Sequence, residues 1–177
     1  MKRAGCRVIS YGVESGSPEM LKRIKKGITL ERVGNAIRWT REAGILTDTN
    51  YIIGHPWDTR ETINDTIYFA VKSNAHMASF AILVPFPGTE IARMALKGEG
   101  GRKLLSTDYS TYGKQVGGAM ELDDIPRQDL ERFHRKAYMK FYLRPSRILN
   151  FMRVVDLRMM ILIACHTLMS KLRKSKS

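Results

Sequence analysis

Residues 7–18 read Arg-Val-Ile-Ser-Tyr-Gly-Val-Glu-Ser-Gly-Ser-Pro and pass from an apolar run into a glycine-rich turn. The β-branched and aromatic side chains of residues 7–13 predict a buried strand. The turn that follows predicts the start of a helix, with Ser17 as its cap and Pro18 in its first turn. A strand followed directly by a helix is half of a βαβ unit.

Two further apolar runs, residues 49–53 and 78–84, have strand character and end in Gly or Pro. A helix pattern capped by Thr29 and stopped by Gly44 precedes the first of them. A second helix pattern, opened by a capping-box-like Asp58 and Glu61, precedes the other. Strands that recur every ~35–40 residues with helices between them predict an α/β fold with a parallel sheet.

Functional residues of parallel α/β folds lie at the carboxyl ends of the strands. The turn-rich stretches 12–17, 54–58 and 85–89 follow the three predicted strands. A carboxylate in the first of them, Glu14, could accept hydrogen bonds from a ribose diol or an ammonium group. The alternative is a helix-capping turn in which Glu14 is a solvated residue.

The chain has 177 residues with a net charge of +13, and its last 34 positions alone carry +7. A helix is predicted from Asp124 and Pro126 to Arg144, because the residue before Pro145 disfavours helical geometry. Another is predicted over 146–170, before a Lys/Ser end. The expected divisions are therefore residues 1–97 with three βα units, a loop-rich connection over 98–125, and a helical extension with a basic tail over 126–177.

The cysteines are Cys6 and Cys165, which are too few for a metal-binding cysteine cluster. No signal-peptide pattern is present at the N-terminus, and the longest apolar run, 159–165, is short of the ~20 residues that span a bilayer. We therefore expect a cytoplasmic protein. The tail, which lacks interleaved aromatics, does not predict nucleic-acid binding. It predicts a core helix, with contact to an anionic membrane surface as the alternative.

Residues 4–27, from Ala-Gly-Cys-Arg-Val-Ile-Ser-Tyr to Ile-Lys-Lys-Gly, closely resemble the fourth strand and following helix of radical S-adenosylmethionine (radical SAM) enzymes. Residues 52–59, Ile-Ile-Gly-His-Pro-Trp-Asp-Thr, resemble the turn after their fifth strand. Residues 85–89, Pro-Phe-Pro-Gly-Thr, resemble the end of their sixth. Residues 141–145, Phe-Tyr-Leu-Arg-Pro, are similar to a post-barrel segment of the cobalamin-binding branch, which includes anaerobic Mg-protoporphyrin ester cyclase-like proteins.

The resemblance covers residues 1–97 well and 126–145 more loosely. It implies the second half of a partial (β/α)6 TIM-like barrel with a C-terminal helical extension. It also implies S-adenosylmethionine as a cofactor, and a 4Fe-4S cluster and cobalamin for the full-length family. The implied cofactor-binding residues are Glu14, Ser15, Lys26, Asn50, Gly54, Pro56, Pro85 and Gly88.

In the resemblance, Glu14 contacts the ribose or the methionyl part of S-adenosylmethionine, and Lys26 pairs with its carboxylate. A solvated lysine at a helix end is the alternative for Lys26. His55 stands where the family has an aromatic residue and Trp57 where it has glycine. Asp58 shortens the family's Glu, with a plain N-cap as its alternative.

The family's cluster is held by three cysteines spaced Cys-x-x-x-Cys-x-x-Cys, and this motif does not occur in the 177 residues. We therefore expect a fragment or split member of a radical SAM enzyme, inactive alone, whose partner is a separately encoded N-terminal half with the cluster motif. The alternatives are a non-catalytic remnant that binds S-adenosylmethionine or a nucleotide, and a basic membrane-surface module. No catalytic or metal-binding residue is predicted, and the substrate is not readable from the sequence.

Overall fold

The computed structural model describes residues 1–108, 112 and 120–145. Strands β1 (Val8–Glu14), β2 (Leu46–Ile53) and β3 (Met77–Ile82) form a parallel sheet in the order β1-β2-β3. The predicted α/β fold with a parallel sheet is confirmed. Strand β2 begins three residues earlier than predicted, because Leu46, Thr47 and Asp48, which precede the predicted run, also pair with neighbouring strands.

Five helices accompany the strands in the described part of the chain. They are α1 (Pro18–Arg23), α2 (Leu30–Glu42), α3 (Arg60–Lys72), α4 (Glu90–Lys97) and α5 (Arg127–Tyr142). By their contacts the residues divide into two compact units, Met1–Phe141 and Tyr142–Ser177. The predicted helix over 146–170 and the basic end of the chain lie outside the described residues. None of the described helices has the length and apolar character required to cross a membrane.

The two faces of the parallel sheet differ in chemistry, because alternate side chains of a strand point to opposite faces. One face is core, where Val13, Tyr51 and Phe80 are almost fully buried. The opposite face is open and polar at its centre. There Ser10 donates to Asp48 at 2.9 Å and accepts from Asn50 at 2.7 Å.

The open face also carries exposed apolar side chains at the amino end of each strand. Val8, Leu46 and Met77 are 44%, 46% and 37% exposed. Val8 lies opposite Leu46, and Met77 lies opposite Asp48 in the next row, so the three side chains form an exposed layer over two neighbouring rows of the sheet. Side chains of this kind on a sheet are usually covered by another element.

Helix α5 covers the outer edge of β3. The backbone N–H of Phe80 donates to the Tyr138 hydroxyl at 3.2 Å, and its carbonyl lies 3.0 Å from Nε2 of His134. Phe141 packs against the Phe80 ring at 6.4 Å between centroids. These bonds satisfy edge groups that could otherwise pair with another strand. The outer edge of β1 has no strand partner among the described residues.

Two local expectations are corrected. The region 98–125, expected to be a loop-rich connection, contains two short strands, β4 (Arg102–Leu104) and β5 (Met120–Leu122), which pair antiparallel. A strand of three residues is too short to show an alternation of apolar and polar side chains. The sequence therefore did not predict β4 and β5. The cap of α3 is Thr59 with Thr62 in a reciprocal capping box, and not Asp58 with Glu61.

Candidate ligand-binding site

The end of β1 is irregular at the residue that the sequence singled out. Pairing with β2 shifts between Gly12 and Glu14, and Glu14 has a φ of 71°. A non-glycine residue in this left-handed region is uncommon and is held there by its surroundings. The bulge re-aims the Glu14 side chain at the carboxyl end of the sheet.

Glu14 forms an ion pair with Lys26, whose Nζ lies 3.0 Å from Glu14 Oε1. Both side chains are partly exposed, at 23% and 32%, so a ligand can reach them. Gly12 lies beneath the pair, because a Cβ there would be 2.9 Å from Glu14 Oε1 and 3.4 Å from Lys26 Nζ. The absent side chain at Gly12 gives the pair its space.

A cavity of about 480 Å³ opens beside this ion pair, at the carboxyl ends of the three strands. Its walls come from the ends of β1 and β2, from the residues after α1 and β3, and from α4. The lining residues are Glu14, Arg23, Ile24, Lys25, Lys26, Ile52, His55, Pro56, Trp57, Leu83, Glu90, Ile91 and Met94. We call it the strand-end cavity.

Backbone strain is concentrated around the strand-end cavity. Among the described residues, positive φ occurs at four non-glycine positions, and Glu14, Lys25 and Trp57 line the cavity, with φ of 71°, 54° and 64°. Such conformations each cost of order 1–3 kcal/mol and cluster at functional sites. This concentration marks the cavity as a candidate site independently of any motif.

The turn after β2 is held by the carboxylate of Asp58. Its Oδ2 accepts from the backbone N–H groups of Gly54 and His55 at 3.0 and 2.9 Å, and its Oδ1 accepts from the Thr62 hydroxyl at 2.7 Å. Burial raises the pKa of Asp58, while these donors oppose the rise. Asp58 is therefore a positioning residue that fixes the backbone of residues 54–58.

His55 is buried in the wall of the cavity, at 5% exposure. Burial, with a smaller contribution from the charge of Arg102, lowers its pKa to about 4, while the charge and backbone of Glu14 oppose the decrease. Its Nε2 has no hydrogen-bond partner. At neutral pH His55 is therefore an uncharged imidazole with an unused nitrogen.

Trp57 forms the outer rim of the cavity. The Arg23 guanidinium lies 5.7 Å from its ring centroid, within cation–π range. Gly100 lies under the ring, since a Cβ there would be 3.5 Å from the indole and 3.1 Å from Met94. An aromatic rim of this kind can cover a planar ligand group by stacking.

Three predicted site residues line the strand-end cavity, namely Glu14, Lys26 and Pro56. Pro85 and Gly88 line a separate cavity of about 430 Å³ with Tyr112 and residues of α4. Thus five of the eight residues lie in two cavities at the carboxyl ends of the strands.

The other three predicted residues line neither of these cavities. Ser15 is buried and bonds the Thr66 hydroxyl at 3.1 Å, which ties the first turn to α3. Asn50 lies on the open face of the sheet and donates to Ser10. Gly54 has a φ of 87°, and a Cβ there would lie 3.6 Å from Leu130 of α5.

Sequence reasoning missed the contribution of α4 and of Arg102. Glu90, Ile91 and Met94 complete the cavity wall. The spacing of apolar residues in α4 predicts an amphipathic helix, but it does not predict which part of the protein the helix packs against. Nothing in the sequence indicated that Arg102 is buried.

A parallel sheet with a strained, charged cavity at its carboxyl edge is the arrangement in which α/β proteins bind small ligands. Residues 1–70 match the family model of the Radical SAM superfamily. Residues 1–70 of the chain therefore belong to the radical SAM superfamily.

Curated relatives agree with this assignment. An uncharacterized methyltransferase of Pyrococcus horikoshii is 35% identical over 146 residues, which are 82% of this chain and 31% of the relative. The anaerobic magnesium-protoporphyrin IX monomethyl ester cyclase of Rubrivivax gelatinosus is 28% identical over 145 residues, 82% of this chain and 25% of the relative. The bacteriochlorophyllide d C-8(2)-methyltransferase of Chlorobaculum tepidum is 31% identical over 90 residues, 50% of this chain and 20% of the relative. The chain spans about a third or less of each relative.

The described residues do not fit an iron–sulfur cluster. Within residues 1–108, 112 and 120–145, no three His, Cys, Asp or Glu side chains come together as a metal site. Cys6 lies before β1 with its Sγ 3.6 Å from the Val8 carbonyl. The ion pair and cavity do fit a zwitterionic ligand such as S-adenosylmethionine, which carries an ammonium, a carboxylate and a ribose diol.

Proposed function

We propose that this chain provides the S-adenosylmethionine-binding second half of a partial (β/α)6 barrel, in a radical SAM enzyme of the cyclase and methyltransferase branch. The observation that carries the proposal is the Glu14–Lys26 ion pair in the strand-end cavity, at 3.0 Å. The superfamily membership supplies the class of ligand.

The ion pair offers one group for each charge of the ligand's amino-acid end, the ammonium and the carboxylate. The Glu14 carboxylate would accept hydrogen bonds from the ribose diol or the methionyl ammonium, and Lys26 would donate to the methionyl carboxylate. Hydrogen bonds to charged groups contribute about 1.5–3 kcal/mol each. Ligand binding would replace the Glu14–Lys26 ion pair by one interaction of each side chain with the ligand. Because both side chains are partly exposed, a ligand can reach them, and this favours the exchange.

The adenosyl part would lie against Pro56 and under the rim formed by Trp57. The turn that presents them is held by Asp58, whose three hydrogen bonds fix its backbone. Apolar walls and a pre-formed turn orient the ligand and exclude water. With an electron from a reduced iron–sulfur cluster, S-adenosylmethionine bound here would supply a 5′-deoxyadenosyl radical, with methionine as the other product.

The cluster would be supplied by chain outside these 177 residues, because the two cysteines are fewer than the three thiolates that the family uses. The open edge of β1 and the open face of the sheet are where the remaining barrel strands would pack. The exposed layer of Val8, Leu46 and Met77 would then be buried. We propose this N-terminal half, on the same or a separate chain, as the partner.

The reaction of the whole enzyme is proposed to be a methyl transfer or a ring closure, since relatives are named for both. Cobalamin would belong to that whole enzyme. The residues described here are assigned no contact with it.

Calorimetry with S-adenosylhomocysteine, on this chain joined to a relative's N-terminal half, tests the proposal. We expect binding that Glu14→Gln weakens at least tenfold, since about 1.4 kcal/mol is one decade of affinity. The matched control is Glu19→Gln, at an exposed glutamate of α1 that forms an ion pair with Arg23. Equal binding by both variants, or no binding by the joined protein, would refute the site. Binding without S-adenosylmethionine cleavage would favour a non-catalytic remnant.

A further inference from the structure

Arg102 is the largest fully buried side chain among the described residues, at 1% exposure. One of its nitrogens, Nη1, donates to the Ile91 carbonyl at a long 3.4 Å. The other two, Nε and Nη2, have no hydrogen-bond partner. A buried guanidinium with most of its donors unused is a rare arrangement, because buried polar groups are nearly always paired.

Among the described residues no carboxylate forms an ion pair with Arg102. The charge of Glu90 acts on Arg102 from a distance. The Glu90 side chain is 78% exposed, and its carboxylate lies 3.8 Å from Arg93 rather than against Arg102. Burial lowers the pKa of Arg102 to about 10, so the group is still a cation at neutral pH. An unpaired buried charge is costly.

The unused donors have a definite geometry. Nε–H and Nη2–H lie along one edge of the planar guanidinium, and this edge binds a carboxylate or phosphate through two parallel hydrogen bonds. The edge left free on Arg102 is therefore the one suited to an oxyanion.

The strand-end cavity lies next to this guanidinium. Ile91, whose carbonyl accepts from Arg102, lines the cavity, and so does His55, on whose imidazole the Arg102 charge acts. Nε2 of His55 is also without a partner, and the ring is 5% exposed. His55 thus lies in the cavity wall, and the Arg102 guanidinium lies behind that wall, bonded to the carbonyl of the lining residue Ile91.

The chain before Arg102 can change its backbone at low cost. Gly98, Gly100 and Gly101 have φ of 69°, 70° and 69°, a region that glycine occupies freely. For a ligand in the cavity to reach the guanidinium edge, this turn would have to move.

We propose that Arg102, with His55 beside it, binds the carboxylate or phosphate group of a small molecule that enters the strand-end cavity. This oxyanion site is separate from the Glu14–Lys26 pair, and it does not depend on the proposed function. The anionic group of the ligand then forms the ion pair that the Arg102 guanidinium lacks.

Thermal unfolding of the full chain in acetate, in phosphate and in chloride at equal ionic strength tests the proposal. We expect acetate or phosphate to raise Tm beyond chloride, and the Arg102 Nε–H resonance to shift with the same titration. A response to acetate alone identifies a carboxylate ligand, and one to phosphate alone a phosphate.

Three variants separate a binding role from a structural one. Arg102→Met should raise Tm without the anion, because it removes an unpaired buried charge, and should abolish the response. Arg102→Lys keeps the charge but loses the two-donor edge, so apparent affinity should fall at least tenfold. Arg93→Met, an exposed arginine of α4, is the control and should respond like the parent.

Three results would overturn the proposal. They are a parent chain that responds to neither anion, an Arg102→Met chain that responds like the parent, and an Arg102→Met chain that is unfolded or less stable. The last would show that the guanidinium has a structural role. The resonance shift is measured on the parent chain and does not depend on a variant that folds.

Discussion

Gly12 lies directly beneath Glu14, so that a methyl group at Gly12 would be 2.9 Å from the Glu14 carboxylate oxygen. The two residues are on the same strand, and the bulge between them turns Glu14 back over Gly12. The ion pair with Lys26 therefore depends on the absence of a side chain two residues earlier.

Gly12→Ala should displace the Glu14–Lys26 pair without unfolding the chain. The added methyl contacts only the ends of two flexible side chains, and alanine in a strand is favoured over glycine by roughly 0.5–1 kcal/mol. We expect Tm to stay or rise, while affinity for S-adenosylhomocysteine in the joined protein falls about tenfold. Thermal unfolding and calorimetry measure the two effects. A drop in Tm with unchanged affinity would contradict the assignment.

Gly16→Ala should destabilise the fold. A Cβ at Gly16 would lie 2.6 Å from both Phe69 Cβ and Thr66 Cα, and backbone cannot yield as a side chain does. We expect a loss of about 1–3 kcal/mol or more in the free energy of unfolding, measured by urea titration. Gly34→Ala is the matched control, because a Cβ there meets nothing within 4 Å in the interior of α2. The control should gain up to about 1 kcal/mol.

The buried His55 should make the chain sensitive to acid. Its pKa is about 4 in the folded chain and near 6.5 when unfolded, so between these values the unfolded state binds the extra proton. Stability is therefore full above pH ~6.5 and falls as pH decreases toward 4, by about 3 kcal/mol from this group. His55→Phe and His55→Gln should flatten the decline, measured by urea unfolding at several pH values. Parent and variant curves of equal slope would contradict the prediction.

The chain alone should not hold an iron–sulfur cluster. Two cysteines are present, and the described residues bring no three metal-binding side chains together. Anaerobic reconstitution followed by iron counting should give no stoichiometric iron. Stoichiometric iron that persists after Cys6→Ser and Cys165→Ser would show that other residues bind it.

Local sequence was enough to predict the three parallel strands, the helices between them and the turns at their carboxyl ends. The reason is that apolar periodicity, and the turns formed at Gly or Pro, are determined within a few residues of the chain. The same local signals placed Glu14 at a strand end. They misassigned the cap of α3, because Asp58 and Thr59 are adjacent residues and either could cap a helix.

The sequence by itself determined the order of strands and helices and the turns that resemble radical SAM motifs. Each of these features depends on residues that are neighbours in the chain. Only the tertiary structure decided that α5 covers the β3 edge, that Lys26 meets Glu14, and that Arg102 is buried without a partner. These relationships join residues far apart in the chain or depend on how much water reaches a side chain. Both are properties of packing, which no local pattern encodes.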